Sequence, residues 1–144
     1  MTSATQPVHH EKHIGELIAY LGQTPVMMRE QGLPSRLEHL IELRVSQIND
    51  CAFCVDMHSS AARREGESSE RLDRLAAWRH SGVFTPAEKA AFAWAEALTY
   101  LERDADYGTL RARLREFYSD EIISLITGCV CIINMWNRLQ ASKY

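Results

Sequence analysis

The sixteen positions from Ile122 to Asn137 hold no charged residue. This segment is shorter than the about 20 apolar residues that a membrane-spanning helix needs, and polar residues such as Ser124 and Thr127 interrupt it. We therefore expect a helix of a soluble protein that is buried on nearly all sides. A chain of 144 residues can bury such a helix at its centre or partly against a second subunit, so we also predict a homo-oligomer.

The rest of the chain also shows helical patterns, and no segment has the alternating β-branched pattern that is typical of strands. Hydrophobic residues make up 46% and charged residues 24% of the sequence, as in ordinary globular proteins. The sequence predicts an all-α fold, a helical bundle of about seven to eight helices. We place all of residues 1–144 in a single domain and expect residues 1–12 to form a loose N-terminal segment.

Short motifs mark where the first helices begin. A first helix is expected over His9–Leu21, followed by a short one that Thr24 caps, with Pro25 as its first residue. An apolar stripe over Ser35–Ile48 predicts the next helix. Arg44 lies within that stripe and either snorkels to solvent, the commoner arrangement, or meets a buried acid.

Serine and threonine residues mark three later helix starts. Ser68 or Ser69 caps one helix, and Ser119 caps the final, uncharged one. Between them, Thr85 and Glu88 enclose a capping box that has proline at the first helical position.

The charge balance argues against several kinds of partner. A net charge of −3 gives no reason to expect nucleic acid or an anionic membrane surface. The N-terminal residues lack the apolar segment of a secretory signal, so we expect a cytoplasmic location, where thiols stay reduced. His9, His10 and His13 near that end are expected to be solvated.

The motif that carries chemistry is D-C-A-F-C-V-D-M-H, which holds Cys51, Cys54 and His58 directly after Asp50. On a helix, successive residues turn by about 100°, so Cys54 lies about 60° from Cys51 and His58 falls between them. All three side chains then project from one face, with His58 one turn beyond Cys54. We expect Asp50 to cap this helix, which places the cysteines at its first and fourth positions.

Two thiols that can form a disulfide beside an imidazole constitute a redox centre with its base in place. The thiolate is the attacking species, and both a neighbouring histidine and a helix N-terminus lower the pKa of a thiol. Because His58 reaches Cys54 more easily than Cys51, we assign Cys54 as the attacking sulfur and Cys51 as the resolving one.

Two other interpretations of this pair stay open. Cys51 and Cys54 could form half of a zinc site with His58 and a fourth ligand from Cys129 or Cys131, although no second pair has the usual zinc spacing. The pair could also be inert and buried. Cys129 and Cys131 lie in an apolar stretch, where we expect them to be buried and unreactive. We assign no metal ligand and no cofactor, since no flavin, haem or nucleotide motif occurs.

Over about residues 14 to 140, the chain resembles the alkylhydroperoxidase D-like (AhpD-like) proteins of the carboxymuconolactone decarboxylase superfamily. The core of the resemblance is L-I-E-L-R-V-S-Q-I-N-D-C-A-F-C-V-D-M-H-S-S-A-A-R-R-E-G-E. Further similar segments are R-L-A-A-W-R, F-T-P-A-E-K-A-A-F-A-W-A-E-A-L-T and I-N-M-W-N-R-L. The resemblance implies an all-α fold, assembly into trimers or hexamers, and thiol-dependent peroxidase or disulfide-reductase chemistry.

In that family the second cysteine attacks the hydroperoxide, the histidine is its base and the first cysteine closes the disulfide. The resemblance therefore implies these roles for Cys54, His58 and Cys51. The family also has a relay glutamate twelve positions before the first cysteine, where this chain has His39. Glu42, one turn nearer, could substitute, although we expect it to be a solvated surface acid, and His39 could itself shuttle protons.

Together these observations predict a peroxide-reducing thiol oxidoreductase whose substrate is a hydroperoxide. Electrons would arrive from a dithiol donor, and the resemblance suggests a lipoyl-bearing or thioredoxin-like protein. Two alternatives stay open. One is a carboxymuconolactone decarboxylase or related lactone-acting enzyme that uses His58 as acid and base. The other is a non-catalytic redox sensor or assembly module whose disulfide alters an interface.

Overall fold

The computed structural model describes residues 3–143, which form α-helices, one 3₁₀ helix and loops, without strands. The 3₁₀ helix is Leu75–His80. The α-helices are α1 (His10–His13), α2 (Gly15–Leu21), α3 (Thr24–Glu30), α4 (Ser35–Ile48), α5 (Ala52–Arg64), α6 (Ser69–Arg74), α7 (Pro86–Tyr100), α8 (Tyr107–Arg115) and α9 (Asp120–Ala141). The predicted all-α class is confirmed.

The N-terminal residues before α1 are exposed, from residue 3 to residue 9. Helix α1 contacts the C-terminal end of the chain, where His10 Nε2 lies 3.0 Å from Ser142 Oγ. The loose segment over residues 1–12 stays a prediction, as does the assignment of a single domain, and residues 1, 2 and 144 lie outside the described part.

Three helices begin where the capping motifs predicted. Ser68 and Ser119 each accept a hydrogen bond from the backbone N–H three residues further on. Thr85 and Glu88 exchange the two hydrogen bonds of a capping box, with proline as the first residue of α7. The bounds of α4 also agree with the apolar stripe that predicted it.

Two helix starts near the N-terminus differ from the prediction. The helix expected over His9–Leu21 divides into α1 and α2 at Ile14, whose φ of −124° and ψ of 35° leave the helical region. Thr24 is the first residue of α3 and not its cap. Its hydroxyl donates backwards to the carbonyl oxygen of Leu21 at 2.7 Å and is therefore not available to the helix N-terminus.

Helix α4 is the central helix and packs against α5, α7 and α9. Leu37, Ile41 and Val45 join one group of buried apolar side chains, together with residues of α7 and α9. Leu40 and Leu43 join a second group, which includes residues of α5, α6, the 3₁₀ helix and α7. Because neighbouring helices cover both groups, polar side chains of α4 that lie between them are buried as well.

Helix α9 is not buried on nearly all sides, contrary to the prediction. Its buried stripe comprises Ile123, Ile126, Cys129, Val130, Ile133 and Asn137. Helices α3, α4, α7 and α8 pack against α9, and the other side of α9 is partly or fully exposed. By length and apolar composition alone, α9 is also the described helix that could cross a membrane. Its buried stripe instead forms part of the core around α4.

Arg44 meets a buried acid, the less common of the two arrangements expected for it. Its Nε donates to Glu96 Oε1 at 2.8 Å, and Trp78 and Arg79 donate to the same carboxylate. Burial would raise the pKa of Glu96, but these hydrogen bonds outweigh burial and lower it. The carboxylate of Glu96 therefore links α4, the 3₁₀ helix and α7.

A tight corner between α4 and α5 sets the direction of the cysteine helix. Asp50 has a φ of 53°, in the left-handed region, and is therefore not the cap of α5 that the sequence predicted. Cys51 takes the cap position, and its N–H donates to the carbonyl oxygen of Ser46 at 3.0 Å. The side-chain amide of Asn49 donates to two asparagine oxygens of α9, which holds the corner in place.

Replacing Asp50 tests the left-handed corner. Asp50→Gly should leave the free energy of unfolding unchanged or raise it by up to about 1 kcal/mol, since glycine adopts this conformation without a Cβ clash. Asp50→Val should lower it by about 1–2 kcal/mol, because a β-branched residue is strained there. Urea denaturation followed by circular dichroism measures both changes.

Asp56, an exposed residue inside α5, provides a control of opposite sign. Asp56→Gly should lower the free energy of unfolding, because glycine is unfavourable inside a helix. Equal stabilities of the Asp50→Gly and Asp50→Val proteins would contradict the left-handed conformation.

Candidate active site

The two cysteines of the motif lie at the start of α5 and are joined by a disulfide bond. Cys51 caps the helix and Cys54 is its third residue, so each lies one position nearer the N-terminus than predicted. Their Cα atoms are 5.2 Å apart, and both residues are buried, with only 3% of Cys54 exposed. Cys54 therefore lies in the first turn, where free backbone N–H groups favour an anion.

His58 lies one turn beyond Cys54 and faces Glu42 of α4. The Nδ1 atom of His58 is 3.0 Å from Glu42 Oε2, and both side chains are about nine-tenths buried. The expectation that Glu42 is a solvated surface acid is wrong, because α5 packs over this part of α4. Burial would raise the pKa of Glu42, but the neighbouring rings of His39 and His58 outweigh burial and lower it.

His39 contacts the same carboxylate from one turn earlier on α4. Its Nδ1 lies 3.4 Å from Glu42 Oε2, and its Nε2 lies 3.3 Å from Oε1 of Glu65, just after α5. The carboxylate of Glu42 raises the pKa of His39 against the opposing effect of burial. Glu42, and not the residue at the position of His39, is therefore the acid in contact with His58.

Glu38 is a buried acid beside this group that the sequence patterns did not identify. The residue is fully buried, and Nη1 of Arg29 lies 3.4 Å from its Oε2. Burial, helped by the charge of Glu42, raises the pKa of Glu38 to about 7. The signal that could have indicated it is the position of Glu38 beside the apolar stripe of α4, one turn before Glu42.

Within the described residues, four buried side-chain atoms have no hydrogen-bond partner, and all four lie in this region. They are both carboxylate oxygens of Glu38, Nδ1 of His39 and Nε2 of His58. Buried polar atoms are paired in most proteins, and exceptions often mark a reacting group or the place of a water or an ion.

A cavity of about 570 Å³ gives small molecules access to this region. Cys54, His58 and Glu42 line the cavity, whereas Cys51 does not. The other lining residues are mostly apolar, with charged groups from the two chain ends: His10, Glu11, Ile18, Gly22, Pro25, Phe53, Met57, Trp136, Leu139, Gln140 and Lys143.

Among the described residues, the group that could hold a metal ion shares only His58 with the zinc site considered from the sequence. One donor atom each from His39, Glu42 and His58 lies within 4.8 Å of the other two, and all three residues are buried. The zinc site considered earlier would use the sulfurs of Cys51 and Cys54, which are bonded to each other here.

The other two cysteines differ from each other. Cys129 is buried as predicted, and burial raises the pKa of its thiol well above the ordinary value. Cys131 is exposed, contrary to the prediction, because it lies opposite the buried stripe of α9. It lines a separate surface cavity of about 720 Å³ between α7 and α9.

Known proteins with similar sequences and structures define the family. The carboxymuconolactone decarboxylase family model matches residues 19–97. The uncharacterized protein YdfG of Bacillus subtilis is 37% identical over 112 residues, which cover 78% of this chain and 76% of the relative.

Two crystal structures are also similar. A protein of unknown function from Agrobacterium tumefaciens, suggested to be the antioxidant defence protein AhpD, has a TM-score of 0.89 and 34% identity, covering 96% of this chain and 95% of that one. An uncharacterized peroxidase-related protein from Silicibacter has a TM-score of 0.72 and 20% identity, covering 88% and 69%. This chain therefore belongs to the carboxymuconolactone decarboxylase family and has the AhpD-like fold.

A double-mutant cycle tests the contact between Glu42 and His58 without reference to activity. Glu42→Gln and His58→Gln should each lower the free energy of unfolding of the disulfide form by about 1–3 kcal/mol, because each leaves a buried partner behind. The double variant should be less destabilised than the sum of the two, with a coupling of at least about 0.5 kcal/mol. Urea denaturation gives the four values.

His80 is exposed and serves as the matched control for the same substitution. The effects of His80→Gln and Glu42→Gln should add. Strict additivity of Glu42→Gln with His58→Gln would show that the two side chains do not interact.

Proposed function

We propose that this protein is a thiol-dependent peroxidase in which Cys54 reduces a hydroperoxide and Cys51 resolves the product. The main evidence is the position of Cys54, which lines the cavity and is bonded to Cys51. It also lies one helical turn from His58, whose ring contacts the buried carboxylate of Glu42. The descriptions of the Agrobacterium and Silicibacter proteins as antioxidant and peroxidase-related support the same chemistry.

In the first step the Cys54 thiol transfers its proton to Nε2 of His58, the ring nitrogen that has no other partner. Glu42, 3.0 Å from Nδ1, orients the ring and balances the positive charge that it acquires. The thiolate attacks the terminal oxygen of the hydroperoxide, and the O–O bond breaks. The leaving alkoxide takes the proton from His58 to become an alcohol, and Cys54 becomes a sulfenic acid.

In the second step the Cys51 thiol attacks the sulfenic sulfur, an S–S bond forms and water leaves. A dithiol donor then reduces the Cys51–Cys54 disulfide by exchange and departs as its own disulfide. The donor thereby supplies two electrons and two protons, and one hydroperoxide becomes one alcohol and one water.

Burial of the two sulfurs limits which donor can reach them. Cys54 is 3% exposed and is approached through the cavity, so a slender dithiol such as a lipoyl group fits better than a broad protein surface. The apolar lining also suits the hydrocarbon part of an organic hydroperoxide. Because the cycle starts from free thiols, we place the protein in a reducing compartment such as the cytoplasm.

Single substitutions test the assigned roles. Cys54→Ser should abolish the reduction of cumene hydroperoxide supported by dihydrolipoamide, and His58→Gln should slow it about 100-fold or more. In Cys51→Ser, mass spectrometry after one equivalent of peroxide should find a trapped sulfenic acid on Cys54. Stopped-flow kinetics measure the rates.

Cys131→Ser provides the matched control, since this thiol lies away from the cavity that Cys54 lines, and it should retain full activity. Trapping on Cys51 in a Cys54→Ser protein would reverse the two cysteine roles. Hydrolysis or decarboxylation of a lactone by a protein that lacks both cysteines would instead favour the lactone-acting alternative.

We also propose that the exposed side of α9 contacts a second copy of the chain, in a trimer or hexamer. This side lies within the uncharged segment, and Cys131 and Met135 there adjoin Leu101, which is 66% exposed, at the end of α7. Exposed apolar surface of this kind is typical of subunit contacts.

A charge placed on this side should therefore separate the subunits. Cys131→Lys should shift the molar mass measured by light scattering after gel filtration toward that of one chain, because an unpaired charge is costly in an interface. Ser124→Lys extends the test along the same side, and Lys12→Glu on α1 is the control. An unchanged mass for both α9 variants would place the contact elsewhere.

A further inference from the structure

We propose that His39, Glu42 and His58 form a binding site for a divalent transition-metal ion such as Zn²⁺, which holds the redox centre inactive while it is bound. The proposed peroxidase cycle uses Glu42 and His58 but gives no role to His39. Yet His39 is only 8% exposed and brings a second imidazole to the same carboxylate.

The two separations from the Glu42 oxygen suit a single ion, and all three donor atoms lie within 4.8 Å of one another. Glu42 Oε2 lies 3.0 Å from His58 Nδ1 and 3.4 Å from His39 Nδ1. Zinc binds imidazole nitrogen and carboxylate oxygen at about 2.0–2.2 Å, so neighbouring ligand atoms of a tetrahedral site lie about 3.3 Å apart. The carboxylate oxygen of Glu42 is therefore at ligand spacing from both rings.

His39 supplies an independent indication of a missing ligand. Its Nδ1 is buried and has no hydrogen-bond partner, although Glu42 Oε2 is only 3.4 Å away. In the neutral ring that has its proton on Nε2, Nδ1 carries a lone pair, and the carboxylate has no proton to donate to it. A metal ion between the two would satisfy both groups.

The other nitrogen of His39 has the partner that metal-binding histidines usually have. Nε2 lies 3.3 Å from Glu65 Oε1. A carboxylate in this position fixes the tautomer and the orientation of a histidine that binds metal through its opposite nitrogen. Thus Nδ1 of His39 is the ligand atom, and Glu65 supports it from outside.

The kind of ion follows from the donors. Two imidazoles and one carboxylate suit zinc, iron, nickel or copper, whereas calcium and magnesium prefer sites built from oxygen atoms. Glu65 adds negative charge beside the ring of His39, and the guanidinium of Arg29 lies against Glu38. Three protein ligands leave at least one coordination position for water.

Metal binding and catalysis exclude each other, a consequence that rests on the proposed function. A neutral imidazole that binds metal through Nδ1 carries its proton on Nε2. Nε2 of His58 then cannot accept the proton of Cys54, so the thiol stays protonated and is not nucleophilic. Bound Zn²⁺ should therefore inhibit the peroxidase without contacting either sulfur.

Metal binding is tested on the disulfide form, in which neither Cys51 nor Cys54 offers a thiolate. Titration with Co²⁺ should give visible absorption bands typical of nitrogen and oxygen ligands, without the charge-transfer band of a thiolate ligand. Calorimetry with Zn²⁺ should find one binding site per chain. His39→Gln should abolish this site. Glu65→Gln, a milder change outside the ligand set, should weaken Zn²⁺ binding about 10–100-fold.

The surface histidines near the N-terminus could also bind zinc, so His9→Gln/His13→Gln is the matched control and should leave the site intact. Binding that is lost in this control and kept in His39→Gln would overturn the proposal. Failure of the unmodified protein to bind either ion would overturn it as well.

Inhibition is tested on the reduced protein by measuring peroxidase rates with and without Zn²⁺ buffered by a chelator. The unmodified protein should lose most of its activity, whereas His39→Gln, compared with its own metal-free rate, should resist inhibition at least tenfold better. Equal inhibition of the unmodified protein and His39→Gln would show that Zn²⁺ acts on the thiols, and it would overturn the regulatory role. Absence of peroxidase activity in every protein would count against the proposed function alone, because binding to the disulfide form is measured separately.

Discussion

The buried contact between Glu42 and His58 joins the two helices on which the site is built. Each side chain comes from a different helix, and neither would tolerate burial as an isolated charge. Packing of α5 over α4 buries most of the carboxylate, and the rings of His39 and His58 keep it ionised there. The site therefore depends on the same helix pair that forms one side of the core.

The geometry around this contact follows from two features of the chain. Helix α4 has apolar residues on two faces, so its polar residues between those faces are enclosed when neighbouring helices pack on it. The left-handed residue Asp50 then reverses the chain, and α5 returns along α4 with His58 in contact with the enclosed carboxylate. Local backbone conformation and the packing of the core thus decide together which acid meets the histidine.

Much of the fold could be predicted from local signals, because capping boxes, prolines and apolar periodicity act within a few residues. Ser119, the Thr85–Glu88 box and the bounds of α4 are examples. The grouping of Cys51, Cys54 and His58 could be predicted for the same reason, because the three residues lie within two helical turns of one another. The burial of Glu42 and Glu38 could not be predicted in this way, since it depends on α5 and on residues distant in sequence. Asp50 and Thr24 were misassigned because a good capping residue can adopt another backbone conformation or donate its hydroxyl elsewhere.

The 5.2 Å separation of the Cys51 and Cys54 Cα atoms has a consequence for how redox state is transmitted. The separation is this short because the two residues lie only three positions apart at the start of α5, so the bond links no segments that are distant in sequence. Oxidation and reduction of such a pair send little mechanical signal to distant surfaces. A disulfide between segments distant in sequence would, by contrast, draw them together when it forms and release them when it opens.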